Sequence, residues 1–261
     1  MAGARQIGLL HPGAMGASVG ACLVEAGHEV LWASAGRSAQ TAARARAAGL
    51  TDAGSVDELA ARSDVVLSIC PPDAALAVAR SLGSYRGLLL DANAVAPATA
   101  AEIAAATGAA YVDGGIIGPP PTEPGTTRLY LSGERAPEVA ALFASTPLEA
   151  RPLETGAPTA ASALKMVYAA WTKGSAALLV AVEQAAAALD VAAVLHEEWA
   201  LSQPDLERRS AAGRDAAEEK GWRWTGEMRE IAATMRAAGV PSGFHDAAAE
   251  IFGGFDRPAP P

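Results

Sequence analysis

Cysteine is nearly absent from this chain. Its 261 residues hold two, Cys22 and Cys70, each inside an apolar run. Two thiols cannot build the disulfide framework of a secreted scaffold, and their spacing matches no zinc motif. A reducing cytoplasm is the expected setting, and no metal site is expected. Lysine is also scarce: only Lys165, Lys173 and Lys220 stand among 20 basic residues. A lysine kept inside an apolar helix of such an arginine-rich chain is a candidate for work that arginine cannot do. Positive charge is in deficit, with a net charge of −9. That argues against a nucleic-acid backbone or an anionic membrane as partner. A long uninterrupted apolar run is missing too. The most apolar stretch, Ala176–Leu195, contains Glu183, Gln184 and Asp190, and reads as a buried helix rather than a membrane span. The chain enters an apolar strand within its first ten residues, so no signal peptide is expected.

Strands and helices alternate through the first part of the sequence. Ile7–Leu10, Glu29–Ala33, Asp64–Cys70, Leu88–Asp91 and Ala110–Asp113 read as strands. Helical patterns lie between them: Ala14–Ala26, Ser38–Ala48, a capping box at Ser55–Glu58, Asp73–Leu82 and Pro97–Thr107. This alternation predicts a mostly parallel sheet with right-handed crossovers. Gly114–Gly125 reads as a loop, Arg128–Ser132 as a strand, Pro137–Phe143 as a helix and Leu148–Leu153 as a closing strand. Beyond Gly156 only helical patterns remain: Thr159 to about Leu189, Glu197–Lys220, Thr225–Ala238 and Ala247–Phe252. Asp256–Pro261 reads as a loose tail. The expected architecture is an α/β domain over 1–155 followed by an all-α domain over 156–261.

The stretch His11-Pro12-Gly13-Ala14-Met15-Gly16 joins the first strand to the first helix. Strand, glycine-containing turn, helix and strand form the opening unit of a dinucleotide-binding fold of the Rossmann type. Gly13 and Gly16 stand at the second and third positions of G-x-G-x-x-G, where the pyrophosphate approaches and the helix packs on the strand. His11 stands at the first, and Pro12 is left to stiffen the turn. Gly13, Ala14, Met15 and Gly16 are therefore candidate cofactor-binding residues. After the second strand, Ser34-Ala35-Gly36-Arg37-Ser38 carries no acid to accept from ribose hydroxyls. Ser34, Arg37 and Ser38 suit a 2′-phosphate, with two hydroxyls and a guanidinium. Equally, Ser34 suits a turn, Ser38 an N-cap and Arg37 a surface charge. The expected cofactor is NADP(H).

Several segments together resemble the superfamily of β-hydroxyacid dehydrogenases and 6-phosphogluconate dehydrogenase, which includes the imine reductases. They are Gly13–Gly16 with Glu25–Val30, Asp64–Pro72, Leu90–Asn93 with Pro97, Asp113–Gly118, Gly125–Thr126 and the region of Lys165. Trp222–Glu230 and Gly239–His245 resemble a branch that carries the same His-Pro-Gly-x-Met-Gly loop. The resemblance implies a Rossmann-like domain, a 6-phosphogluconate dehydrogenase-like helical domain, and a homodimer with interlocked helical domains. It places Cys70, Pro71, Pro72 and Asn93 beside the cofactor, and Ile117 and Gly118 in the substrate loop. Lys165 falls where the family's interdomain helix carries its catalytic lysine, with substrate between the domains. In this chain Ile117 replaces the family's substrate-loop serine, and Ala169 replaces the asparagine one turn after the lysine. A simple 3-hydroxyisobutyrate-type substrate is therefore not expected.

Lys165 lies among apolar neighbours, and Tyr168, Ala169 and Thr172 share its helix face at i+3, i+4 and i+7. These three are candidate substrate-lining residues, and each also suits plain helix packing. Lys165 suits a general acid–base in hydride transfer between a nicotinamide and a small carbonyl or hydroxy compound. It equally suits a helix lysine whose head reaches water. An imine reductase and a non-catalytic NADP(H)-binding regulator are the alternatives.

Overall fold

The structure, a computed structural model, describes residues 3–256, so 257–261 of the expected tail lie outside the described residues. The chain falls into two compact units, Met1–Lys165 and Met166–Pro261, divided inside the first two turns of helix α7 (Ala160–Ala188).

The first unit is built on one eight-stranded sheet. Its strands are β1 (Gln6–Leu9), β2 (Glu29–Trp32), β3 (Thr51–Asp52), β4 (Val65–Ser68), β5 (Leu88–Asp91), β6 (Ala110–Ile117), β7 (Thr127–Ser132) and β8 (Leu148–Pro152). The strand order is β3-β2-β1-β4-β5-β6-β7-β8. Every pairing is parallel except β6 with β7. The central strands β4 and β5 are buried along their whole length, as expected of strands covered on both faces. Leu9, Leu23, Leu67, Leu90 and Leu129 belong to the core on one face. Leu10, Leu59, Val66, Leu89 and Ile103 belong to the core on the other. Helices α1 (Ala14–Glu25), α2 (Ala39–Ala47), α3 (Val56–Arg62), α4 (Pro72–Arg80), α5 (Pro97–Ala106) and α6 (Ala136–Leu142) complete the layers. Ser55 caps α3 by accepting from the Glu58 N–H, as the capping box predicts.

Two expectations about this unit are corrected. The sequence hides β3, whose two residues pair with Leu31 and Trp32 and are too few to show a period. The expected loop from Gly114 begins late, because β6 continues through Gly114, Gly115, Ile116 and Ile117, all paired with β7. Glycine weakens a strand on its own. Here both glycines are required by close approach: a Cβ on Gly114 would stand 2.9 Å from Leu90 Cδ1, and one on Gly115 would stand 2.6 Å from the Ala161 carbonyl oxygen.

The second unit holds the rest of α7, then α8 (Ala192–Ser202), α9 (Leu206–Ala237) and α10 (Gly243–Gly253). The expected helix Glu197–Lys220 is broken at Pro204, which can satisfy no helical N–H bond. The break expected near Gly221 does not occur, and α9 runs through it. Gly221 stands where α9 meets Phe255 closely: a Cβ on it would lie 3.1 Å from Phe255 Cβ. The last helix begins four residues before its expected start at Ala247. Trp224 meets Phe252 edge-to-face at 5.0 Å, and Lys173 pairs with Glu227 at 2.6 Å with both side chains largely buried. His196 pairs with Glu183, which also accepts from Ser210. No helix among the described residues is long and apolar enough to cross a membrane.

Candidate functional site

The carboxyl ends of β1, β2, β4 and β5 line one edge of the sheet. The order reverses between β1 and β4, the crevice where open α/β sheets take their ligands.

The turn after β1 is made without the first glycine. Gly13 N–H donates to the His11 carbonyl at 2.9 Å across Pro12, whose fixed φ suits such a tight three-residue turn. Gly16 is required by packing, because its Cβ would lie 2.2 Å from the His11 carbonyl oxygen. Gly13 is different. Its φ is −69°, open to any residue, and no protein atom lies within 4 Å of where its Cβ would be. It caps α1 without a side-chain bond, and the first turn holds no acid. The leading N–H groups of α1, at Ala14, Met15 and Gly16, follow this open position at the positive end of the helix. These features fit a bound pyrophosphate. Ala14 is exposed, and Met15 packs against the core.

Beyond β2, Arg37 N–H donates to the Ser34 carbonyl at 3.0 Å, and Gly36 at φ 72° closes the turn. This turn carries Arg37 back onto the loop after β1. Its Nη1 donates to His11 Nε2 at 2.7 Å and its Nη2 to the Leu10 carbonyl at 3.2 Å. Burial, and then the Arg37 charge, lower the His11 pKa to about 4. Ser38 takes the alternative role of N-cap, accepting from the Thr41 N–H at 3.2 Å. The Asp52 carboxyl is held below its ordinary value, first by the Gly54 N–H, which donates to Oδ1 at 2.8 Å, and also by Ser34 nearby. Asp52 was not legible as a neighbour of Ser34, because β3 was not legible as a strand.

After β4 come Cys70, Pro71 and Pro72. Pro72 opens α4, whose N-cap Pro71 makes no side-chain bond. Burial, and then the Asp91 charge, push the Cys70 thiol up to about 12. Asn93 is 2% exposed and is used inside the protein. Its Oδ1 accepts from the Cys70 N–H at 2.6 Å, its Nδ2 donates to Ser68 Oγ at 3.0 Å, and its N–H donates to Asp91 Oδ1 at 3.0 Å. Asn93 thus ties the β4 and β5 loops together.

Ile117 is buried at the end of β6, and Gly118 is exposed directly after it. The start of α7 is fixed to the same strand. Asp113 Oδ2 accepts from the Ser162 N–H at 2.8 Å and from Ser132 Oγ at 3.0 Å. Ser132 Oγ in turn accepts from the Ala161 N–H at 3.0 Å. One carboxylate therefore caps the helix one turn before Lys165, a role the sequence offered no local signal for. Lys165 is partly buried, and its Cβ is 3.1 Å from where a Cβ on Gly115 would stand, so its stem crosses β6 two residues before Ile117. Further along α7, Tyr168 and Thr172 are exposed and Ala169 is buried. The Thr172 hydroxyl bonds back to the Tyr168 carbonyl of its own helix at 3.4 Å.

A family model described as NADP oxidoreductase coenzyme F420-dependent matches residues 6–95, and a domain of unknown function (DUF1932) matches residues 186–254. Solved structures match nearly the whole chain. Conserved protein MTH1747, of unknown function and similar in structure to 3-hydroxyacid dehydrogenases, is 26% identical with a TM-score of 0.69, over 95% of each chain. A 3-hydroxyisobutyrate dehydrogenase from Salmonella typhimurium is 16% identical with a TM-score of 0.68, over 95% of this chain and 93% of that one. A reductive aminase from Aspergillus terreus, in complex with NADPH and ethyl-5-oxohexanoate, is 20% identical with a TM-score of 0.58, over 97% of each chain. A search of curated proteins found no match. The chain is thus similar over nearly its whole length to structures of the 3-hydroxyacid dehydrogenase type. Its Rossmann-like sheet domain is followed by a helical domain, as the sequence predicts.

Proposed function

We propose that this chain is an NADP(H)-dependent oxidoreductase of small carbonyl or hydroxy compounds, with Lys165 as its general acid–base. The observation that carries the reading is the α1 N-terminus, uncapped by any side chain beneath the open space at Gly13, with a guanidinium held beside it. The NADP oxidoreductase model over residues 6–95 supports the cofactor, and the NADPH-bound reductive aminase of the same fold agrees with it. When bound, the nicotinamide supplies or accepts a hydride. The chain supplies orientation and a proton. The α1 N–H groups hold the pyrophosphate, and Arg37, with the neighbouring Ser34 and Ser38, takes the 2′-phosphate. Asn93 positions the Cys70–Pro72 loop rather than touching the cofactor. Lys165 Nζ gives its proton to the carbonyl oxygen during reduction and takes one from the hydroxyl during oxidation. Ile117 and Gly118 line the substrate beside Lys165, and the apolar Ile117 favours a substrate without a carboxylate there.

We also propose a homodimer with interlocked helical domains. Leu164, Val167, Trp171 and Leu178 are exposed and lie within one third of the circumference of α7, an apolar stripe that suits a second copy.

The test is a panel of aldehydes, ketones, keto acids and cyclic imines with NADPH and NADH. Lys165→Ala is expected to lower kcat on carbonyls by about 10²–10⁴-fold while NADPH still binds. Imine turnover that persists undiminished in Lys165→Ala would overturn the lysine's role in favour of imine reduction. NADPH binding with no turnover across the panel would favour a regulator.

A further inference from the structure

The departure at the first glycine position of the phosphate loop places a polar side chain where the family motif has none. We infer that His11 is a positioning residue for cofactor choice: its imidazole holds the Arg37 guanidinium at the mouth of the phosphate loop, ready for the 2′-phosphate. The inference rests on the NADP(H) reading above and adds a residue to it.

The geometry fixes the roles of the two partners. Arginine has only donors, so the 2.7 Å contact between Arg37 Nη1 and His11 Nε2 makes Nε2 the acceptor. The ring is then neutral and carries its proton on Nδ1, an atom that is buried without a hydrogen-bond partner. A protonated ring would lose the accepting lone pair and repel the guanidinium. Burial and the Arg37 charge both oppose that protonation. The Leu10 carbonyl provides a second anchor, at 3.2 Å from Nη2. Two anchors on different nitrogens fix the plane of a group that otherwise rotates about four side-chain torsions. They use two of its five N–H groups, leaving a second hydrogen on each Nη for a phosphate oxygen.

The pair also joins two elements that a dinucleotide spans. His11 belongs to the loop after β1, under the pyrophosphate, and Arg37 to the turn after β2, on the ribose side. A glycine at position 11 offers no acceptor, and Arg37 would then hold its orientation through the Leu10 carbonyl alone. Pro12 supplies the turn that the missing glycine would have made, which releases position 11 for this task.

The experiment is titration calorimetry of NADPH, NADH and adenosine 2′,5′-bisphosphate against wild type, His11→Ala, His11→Gln, Arg37→Ala and His11→Ala/Arg37→Ala. Wild type is expected to prefer NADPH. His11→Ala should weaken NADPH and the bisphosphate about 5–10-fold and NADH less than about twofold, an effect of the size that coupled neighbours show. His11→Gln, whose amide oxygen can accept from Arg37, should recover most of the loss. The double variant should bind NADPH no more weakly than Arg37→Ala alone, because His11 acts through Arg37. NADH affinity checks that each variant keeps its folded loop. If His11→Ala leaves NADPH unchanged, or tightens it, while Arg37→Ala weakens NADPH selectively, the inference is overturned and the cofactor reading stands. If wild type binds NADPH and NADH alike, or Arg37→Ala weakens both equally, the NADP(H) reading falls, and the inference with it.

Discussion

At Gly16 an added Cβ would lie 2.2 Å from the His11 carbonyl oxygen, a backbone atom that can yield only if the loop or the helix moves. Gly16→Ala is therefore expected to cost about 1–3 kcal/mol of stability, as overpacking does, and to distort the anion site. Chemical denaturation together with NADPH titration checks it, and a variant of wild-type stability and affinity would contradict the packing argument. Gly13 makes the opposite case, since the protein leaves the space above it empty. Gly13→Ala should fold normally and lose cofactor affinity. Among the candidate residues, Asn93 is the one most fully engaged by its own loops. Its amide bonds lie inside the protein, so it acts on the Cys70 loop by holding it.

At the scale of elements, β5, β6 and the start of α7 form the least ordinary part of the first unit. Asp91 and Asp113 pair in register on neighbouring parallel strands, and both are buried. Burial raises both carboxyls, and for Asp91 the value rises to about 7, with the Asp113 charge adding to the effect. Asp113 spends its oxygens on Ser162 and Ser132, whereas Asp91 Oδ2 is buried without a partner. The folded state thus keeps a proton on Asp91 that the unfolded chain loses above 3.8. Stability is full below that value and falls as pH rises towards about 7. In Asp91→Asn that loss should disappear, flattening the slope by up to about 1.4 kcal/mol per pH unit. Urea unfolding at stepped pH measures it, and parallel slopes in the two proteins would contradict a titrating Asp91. The same elements explain the Gly114–Gly115 pair, which admits α7 against β6 and so sets the height of Lys165 above the strand.

For the whole molecule, the exposed stripe on α7 carries the expectation of a dimer. Trp171 is 67% exposed and Leu178 is 49% exposed on one side of a 29-residue helix. Trp171→Asp combined with Leu178→Asp should convert a sedimenting dimer to a monomer without loss of helix content. Wild type that sediments as a monomer would remove the proposal. If substrate turnover also vanishes in the monomer while NADPH binding survives, the partner chain completes the catalytic site.

Local signals in the sequence specify the sheet domain and the edge where its strand order reverses. Unbroken apolar runs, capping boxes and glycine stops are local signals, and β1, α1, β2, β4 and β5 lie where those signals placed them. The same signals single out the segments proposed to bind and react: the loop at His11–Gly16, the turn at Ser34–Ser38, and Lys165 on a long helix. Only the tertiary structure decided what those residues touch. That Arg37 turns back onto His11, that Ser34 comes near Asp52 at the end of a two-residue strand, and that Asp113 caps α7 are relations between residues 18 to 49 apart. No local pattern encodes such contacts, because they arise from strand order and register. Pro204 and Gly221 make the same point in the helical unit: the proline breaks its helix by its own chemistry, while the glycine lies inside α9, close against Phe255. The first glycine of the phosphate loop, absent from the sequence, is explained in the fold by a proline that makes the turn and a histidine that holds an arginine.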